Sequence, residues 1–317
     1  MKSVFGTNII YTLFGESHSD FMGITITGLP SGRKIDYELI KMLLERRRPS
    51  TINNTKRIEN DEFSIISGIY NGYTTGAPLT ALIKNVSFDS SKYFDGVCRP
   101  GQSDYTSFIK YNGFNDPRGG GHLSGRLTSL IVLAYGIIKP ILDELNIVIA
   151  STIDYINESA SDTTGGIIKI TAHGVKAGLG EPFFYSAESI LSSLLFSIPS
   201  VKAVEFGLGK DFAYKTGSEV IDKLEYNDGI VSIPFNYNGG INGGITNGED
   251  ITAKVTFKPI ATIQKEVDTI NVKTKENIKY TNRGMHDKNI LNRAMVIAEA
   301  MMAIGILEMI TLDKAIR

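Results

Sequence analysis

Short runs in which β-branched and apolar residues alternate with polar ones, each closed by Gly, Pro or Asn, dominate the chain and predict strands. They lie at residues 24–27, 63–66, 79–83, 167–171, 201–206, 229–233 and 251–257. Apolar positions three or four apart predict helices at 37–47, 127–145, 187–196 and 290–312, with Pro140 expected to end or kink the second. The two halves share an outline. A Gly-Ile-rich strand, a Gly/Pro loop and a helix occur at 23–47 and again at 166–196. A glycine–histidine step opens a long apolar helix at Gly121-His122, and Gly284-Met285-His286 does the same. The expectation is one domain over 1–317 with pseudo-twofold repeats of about 1–150 and 151–317, the two long helices packed together as its core. The fold class expected is α+β.

A length of 317 residues with 42% hydrophobic content is ample for such a core. Lys and Arg number 33 against 34 Asp and Glu, so the balanced charge argues against nucleic acid or a membrane surface as a general partner, and any anion site must be local. The single cysteine, Cys98, excludes an intrachain disulfide framework and fits a reducing compartment. Residues 1–6 lack the apolar run of a signal peptide, and the apolar stretches 130–138 and 295–310 are too short or too interrupted, by Glu299 and Glu308, to span a bilayer. A cytoplasmic protein is expected.

The chemistry concentrates around glycine-flanked histidines. Phe14-Gly15-Glu16-Ser17-His18 sets a histidine beside an acid and a hydroxyl, and Arg118-Gly119-Gly120-Gly121-His122 sets one after a glycine run and a cation. Glycines let a ligand approach backbone N–H groups, so the 118–126 segment with Arg118, Ser124 and Arg126 favours phosphate binding over a plain hinge. The run Arg46-Arg47-Arg48 reads either as solvated charge at a helix C-terminus or as a guanidinium clamp for carboxylate or phosphate. The 238–244 loop, Asn-Gly-Gly-Ile-Asn-Gly-Gly, reads equally as tight turns or as bare backbone under a flat cofactor. Asp287 after His286 is an N-cap or half of an acid/base pair, and His173 reads as structural. Four scattered histidines and one cysteine offer no metal-ligand spacing, and no metal is expected.

Taken in order, these segments resemble the chorismate synthase family nearly end to end. The pieces include Phe14-Gly15-Glu16-Ser17-His18, Arg46-Arg47-Arg48-Pro49, Thr74-Thr75-Gly76-Ala77-Pro78, Arg99-Pro100-Gly101, the Arg118 glycine run, Val204-Glu205-Phe206-Gly207, Gly239-Gly240-Ile241-Asn242-Gly243-Gly244 and His286-Asp287. Each is modest, and the ordered set is specific. The resemblance implies a lyase that converts 5-enolpyruvylshikimate 3-phosphate to chorismate by 1,4-anti elimination of phosphate, with reduced FMN and no net redox change. NADPH is a possible reductant for the flavin. It further implies a β-α-β sandwich, central helices between two antiparallel sheets, and a homotetramer. Carried over by position, His18 protonates the departing phosphate and Asp287 helps the flavin take the ring proton. Arg47 and Arg126 bind substrate anions, with Ser17 and Ser124 as hydroxyl donors. The FMN contacts fall on His122, Leu123, Ser124, Pro199, Ser200, Gly243, Lys258, Pro259, Ile260, Ala261 and Thr262.

The sequence departs from the family pattern at several of these places. Gln102-Ser103 stands where the family has His-Ala, and an amide cannot act as an acid near neutral pH. His122, on the flavin cradle, is a candidate stand-in acid. Met285 occupies an arginine position, Lys288 a proline position, and Ser19 and Ser50 glycine positions. The alternative reading is therefore a catalytically weak or inactive homologue that binds flavin or a phosphorylated ligand. A lyase acting on another enolpyruvyl or cyclohexene phosphate is a third.

Overall fold

The computed structural model describes residues 2–48, 61–86, 96–159, 161–282 and 288–316. Two antiparallel sheets enclose a layer of helices, the α+β sandwich that the resemblance implies. In the first sheet Ile10–Gly15, Phe21–Thr27, Leu79–Lys84 and Phe63–Ser67 lie side by side in that order, with Val4–Phe5 on the outer edge. In the second, the order is Val148–Ile156, Gly166–His173, Ile251–Phe257 and Val201–Phe206. Within each set of four, the strands met first, second, fourth and third along the chain are neighbours.

The helices are α1 (Tyr37–Arg46), α2 (Asp104–Lys110), α3 (Thr128–Glu144), α4 (Ala187–Ser197) and α5 (Leu291–Ile316). Helix α3 runs against α5, with α1 packed on α3 and α4 on α5. Burial alternates strictly along Ile251–Phe257, so Ile251, Ala253, Val255 and Phe257 face the helices. Asp36 starts α1 by accepting from the Leu39 N–H at 2.9 Å, and Ser186 does the same for Ser189 at the start of α4. The 127–145 expectation is met to within a residue, but Pro140 lies inside α3 rather than ending it. The proline forfeits one backbone hydrogen bond near the helix end, and burial of the helix from Thr128 to Ile138 holds its course. Two helical segments, Gly125–Glu144 and Leu291–Lys314, are long and apolar enough to cross a membrane, and both lie mostly buried in this layer.

Each long helix carries one glycine where its partner crosses. A Cβ on Gly136 of α3 would sit 2.7 Å from Ile40 Cγ1 and 3.0 Å from the Ile40 backbone. On Gly305 of α5 it would meet side-chain ends alone, Leu191 and Leu194 at 2.7 and 3.0 Å and Ile190 at 3.7 Å. Alanine gains about 1 kcal/mol of helix propensity over glycine at either site, but overpacking costs roughly 1–3 kcal/mol where neighbours cannot yield. Gly136→Ala is thus expected to lower the denaturation midpoint, because backbone must shift, whereas Gly305→Ala should leave it nearly unchanged.

Candidate active site

The segment 118–126 organises the site because other elements grip it at both ends. At its start, Gly119, Gly120 and Gly121 all take positive φ, so the run is a tight loop apart from the start of α3. Buried Ser17 donates its backbone N–H to the Gly121 carbonyl at 3.2 Å, and its hydroxyl lies 3.3 Å from the carbonyls of Arg118 and Gly119. Next to it His18, also buried, brings Nδ1 to 3.1 Å from the Ser17 hydroxyl. The His18 ring lies directly on Gly119, where a Cβ would fall 2.0 Å from Cε1. Only glycine permits that approach. The turn presenting His18 is closed by Ser19, whose hydroxyl donates to the Glu16 or Phe21 carbonyl (2.9 and 2.7 Å). Asn85 donates to the carbonyls of Glu16 and Ser19 from across the sheet. Ser19 therefore supplies a turn-closing hydroxyl at a family glycine position.

At its other end the segment is held by Arg47. This buried side chain leaves the C-terminus of α1, donates from Nε to Thr128 Oγ1 at 3.1 Å and from one terminal nitrogen toward the carbonyls of Gly125 and Arg126. Its other terminal nitrogen lies 3.2 Å from Asp61, whose second carboxylate oxygen pairs with Arg126. Arg293 at the start of α5 donates from Nε to the Arg47 carbonyl at 3.0 Å. Ser124 caps the turn before α3, accepting from the Arg126 N–H.

The arginine run thus divides. Arg46 points away and makes a two-pronged bond to buried Glu299 of α5, both contacts 2.8 Å, and Arg48 pairs loosely with Glu45. Of the three, Arg47 alone joins Arg126. Arg118 is likewise committed, its fork closing on Asp116 at 2.9 and 2.8 Å. Burial raises the Asp116 pKa, yet the bonds from Arg118 and its charge outweigh this and hold the carboxyl below its ordinary range. The pair's contribution is accordingly present above the ordinary carboxylate pKa and lost only as pH falls through the lowered value.

His122 has both ring nitrogens engaged. Nδ1 is 2.7 Å from the Gly15 carbonyl and Nε2 is 2.6 Å from the Ser3 hydroxyl. A carbonyl only accepts, so Nδ1 carries the proton and Nε2 of the neutral ring accepts from Ser3. The ring ties the glycine loop to the end of Ile10–Gly15 and to the N-terminal segment.

Several of the positions that the resemblance assigns to a flavin are linked in a second region. Lys258 donates its N–H to the Ser200 carbonyl at 2.9 Å and its ammonium to the Gly101 carbonyl at 2.8 Å. Gln102 donates from Nε2 to Thr262 Oγ1 at 2.9 Å, and Thr163 donates to the Ile260 carbonyl at 2.8 Å. Ser200, following exposed Pro199, is at positive φ, and Pro259 and Ala261 lie in the same loop, with Ala261 beneath Gly101. Leu123 is exposed. Gly243 sits in the exposed turn of the Ile241–Asn242, Ile245–Thr246 hairpin, with open space where a Cβ would be. Arg99, preceding this group, is fixed by a fork onto Asp104. Asp287, His286, Met285, Arg283 and Ser50 lie outside the described residues. His173, read as structural, pairs with Asp250 at the surface. Among the described residues no group of three or more His, Cys, Asp and Glu side chains could hold a metal.

Asp61, Asp116 and Asn85 escaped the sequence reading, and Glu299 entered it only as a break in an apolar stretch. Each is a lone polar residue without a motif, and only its burial beside a cation or a turn reveals its role.

Comparison with known proteins agrees with this geometry. The family model described as chorismate synthase matches residues 9–161 and 153–311. The chain is similar to chorismate synthases of Thermococcus gammatolerans (37% identity, 98% of each chain), Pyrococcus abyssi (39%, 94% of each) and Chitinophaga pinensis (37%, 98% of this chain and 97% of the relative). A crystal structure of a chorismate synthase shares the fold with a TM-score of 0.74 at 23% identity, covering 98% of this chain and 93% of that one.

Proposed function

The chain belongs to the chorismate synthase family and is a chorismate-forming lyase of the shikimate pathway, and from that premise we propose which of its residues carry the elimination. One observation carries the assignment: buried His18, fixed by Ser17 and seated on Gly119, shares the 118–126 segment with Arg126 and the Arg47 side chain. His18 is the acid that gives a proton to the departing phosphate oxygen, with Ser17 orienting its ring. Arg47 and Arg126 hold the substrate's anionic groups, and the Ser17 and Ser124 hydroxyls add donors. Asp287, by family position, assists removal of the ring proton. His122 is assigned to positioning, because both its nitrogens serve the loop.

The family uses reduced FMN, and the residues present fit it. Lys258, Ser200, Thr262 and the Gln102 amide offer a cation and polar groups for a phosphate and polar ring edges. The Gly243 turn and the glycine loop leave bare backbone for a flat ring. When bound, reduced FMN supplies electron density that eases departure of the phosphate with no net redox change. NADPH as its reductant, a homotetrameric assembly and an origin by duplication of the two halves belong to the same proposal. The last is supported by the shared strand order of the two sheets.

Purified protein with photoreduced FMN under anaerobic conditions is expected to form chorismate and phosphate from 5-enolpyruvylshikimate 3-phosphate. Absence of product with FMN bound would overturn the reading in favour of a binding protein. Gln102→His is expected to raise kcat if the flavin-side acid limits the rate. An unchanged kcat in the folded variant would show that proton delivery there does not limit turnover.

A further inference from the structure

We propose that Asp61 is a positioning residue for the reaction, the anionic spacer that sets Arg47 and Arg126 as one anion-binding pair. The inference rests on the substrate reading of those arginines. Asp61 is fully buried, as nearly are the two guanidinium groups beside it. One carboxylate oxygen receives Arg47 and the other receives Arg126, so the two cations are held apart by the width of a single carboxylate.

Buried cations of like sign repel strongly where water is excluded, and they keep a fixed separation only if an anion lies between them. The rest of the Arg47 fork is also fixed, Nε on Thr128 and one terminal nitrogen toward the Gly125 and Arg126 carbonyls. Thr128 itself donates to the Gly125 carbonyl at 2.6 Å. Every one of these contacts falls on the 125–128 turn that carries Arg126. Asp61 enters from the strand side, immediately before Phe63–Ser67, and closes the arrangement.

A spacer and a simple competitor for the arginines make opposite predictions. If Asp61 only competes with substrate, Asp61→Asn improves binding and leaves kcat intact. If it positions the pair, the neutral isostere lets the guanidiniums separate. A small anion then binds more tightly to the more positive site, while the substrate's reacting bonds lose alignment.

The test measures kcat and KM for Asp61→Asn with reduced FMN, and inorganic phosphate affinity by calorimetry. The expected result is a fall in kcat of roughly tenfold or more with phosphate binding at least as tight as in wild type. Unchanged kcat would overturn the proposal, as would loss of kcat and phosphate binding together, which marks a merely collapsed site. If Asp61→Asn does not fold by circular dichroism, Asp61→Glu carries the test through kcat alone, since it keeps the charge but lengthens the spacer, and a kcat equal to wild type would overturn the proposal. Asp61→Glu keeps the charge and is expected to recover part of kcat. Wild-type turnover is the control for the underlying reading: if wild type makes no chorismate, that reading fails, whereas a wild-type rate in the variants fails Asp61 alone.

Discussion

Gly119→Ala is expected to lower kcat by about two orders of magnitude or more, comparable to replacing His18 itself, while leaving the protein folded. The argument is steric and local. A methyl group at Gly119 would lie 2.0 Å from His18 Cε1, 2.3 Å from Nδ1 and 3.0 Å from the Ser17 hydroxyl. His18 is buried, so its ring cannot swing freely into solvent, and either the ring turns off its Ser17 contact or the loop moves away. The residue also has φ of 58°, where an L side chain costs roughly 1–2 kcal/mol. That penalty falls on a surface loop tethered at Gly121 and His122, and it is small beside the sandwich core. A general acid of this kind contributes about 10²–10⁴ in rate, and displacement forfeits most of it. Steady-state assays with reduced FMN at saturating substrate should show the loss in kcat. In His18→Asn, adding Gly119→Ala should cost little more, since the glycine acts through the ring. A Gly119→Ala enzyme with wild-type kcat would show that the ring has no catalytic dependence on that contact.

What could be read from the chain, and what could not, follows from the range over which each signal acts. Strand alternation and helical spacing are local, and they located most of the sheet strands and the helices α1, α3, α4 and α5 to within a few residues. The strands Ile10–Gly15 and Val148–Ile156 were overlooked, because one ends in the Gly15-Glu16 turn and the other alternates only weakly in burial. Helix α2 was too short to show periodicity, and the Glu266–Asn271, Glu276–Thr281 hairpin is too polar to resemble a buried strand. For the site, His18, Ser17, Arg47 and Arg126 stood out because family motifs mark them, and the structure gathers them along one segment. Asp61 lies fourteen residues beyond Arg47 with no motif of its own, and no local rule links it to either arginine. His122 was a candidate acid because the resemblance places it on the flavin cradle; Ser3 and Gly15, more than a hundred residues away, engage both its nitrogens. Long-range polar pairing is what a single sequence conceals.

Neighbouring arginines in one run are expected to separate cleanly on mutation: Arg46→Ala loses stability and keeps activity, whereas Arg47→Ala loses activity. Arg46 reaches across the helix layer to Glu299, whose side chain is 3% exposed and also accepts from the Ser151 hydroxyl at 2.7 Å. Truncating the arginine strands a buried carboxylate, a change that costs about 3–5 kcal/mol when water cannot follow. Here the Arg46 head is 43% exposed, so water enters behind it and the expected cost falls to about 2–3 kcal/mol. The same contact, chiefly through its hydrogen bonds, raises the Arg46 pKa further, so the guanidinium stays charged. Glu299→Gln in the Arg46→Ala background should restore part of the loss, because an amide needs no counter-charge. Arg47→Ala leaves Asp61 paired with Arg126, which limits the damage to folding, but it removes a desolvated guanidinium from the anion site. Truncating one member of such a contact typically costs about 2–5 kcal/mol of binding, equivalent to a fall in kcat/KM of at least about thirtyfold. Denaturant midpoints and kcat/KM measured on the same two variants decide the matter: equal effects of both mutations on both quantities would mean that the run acts as one undivided patch of charge.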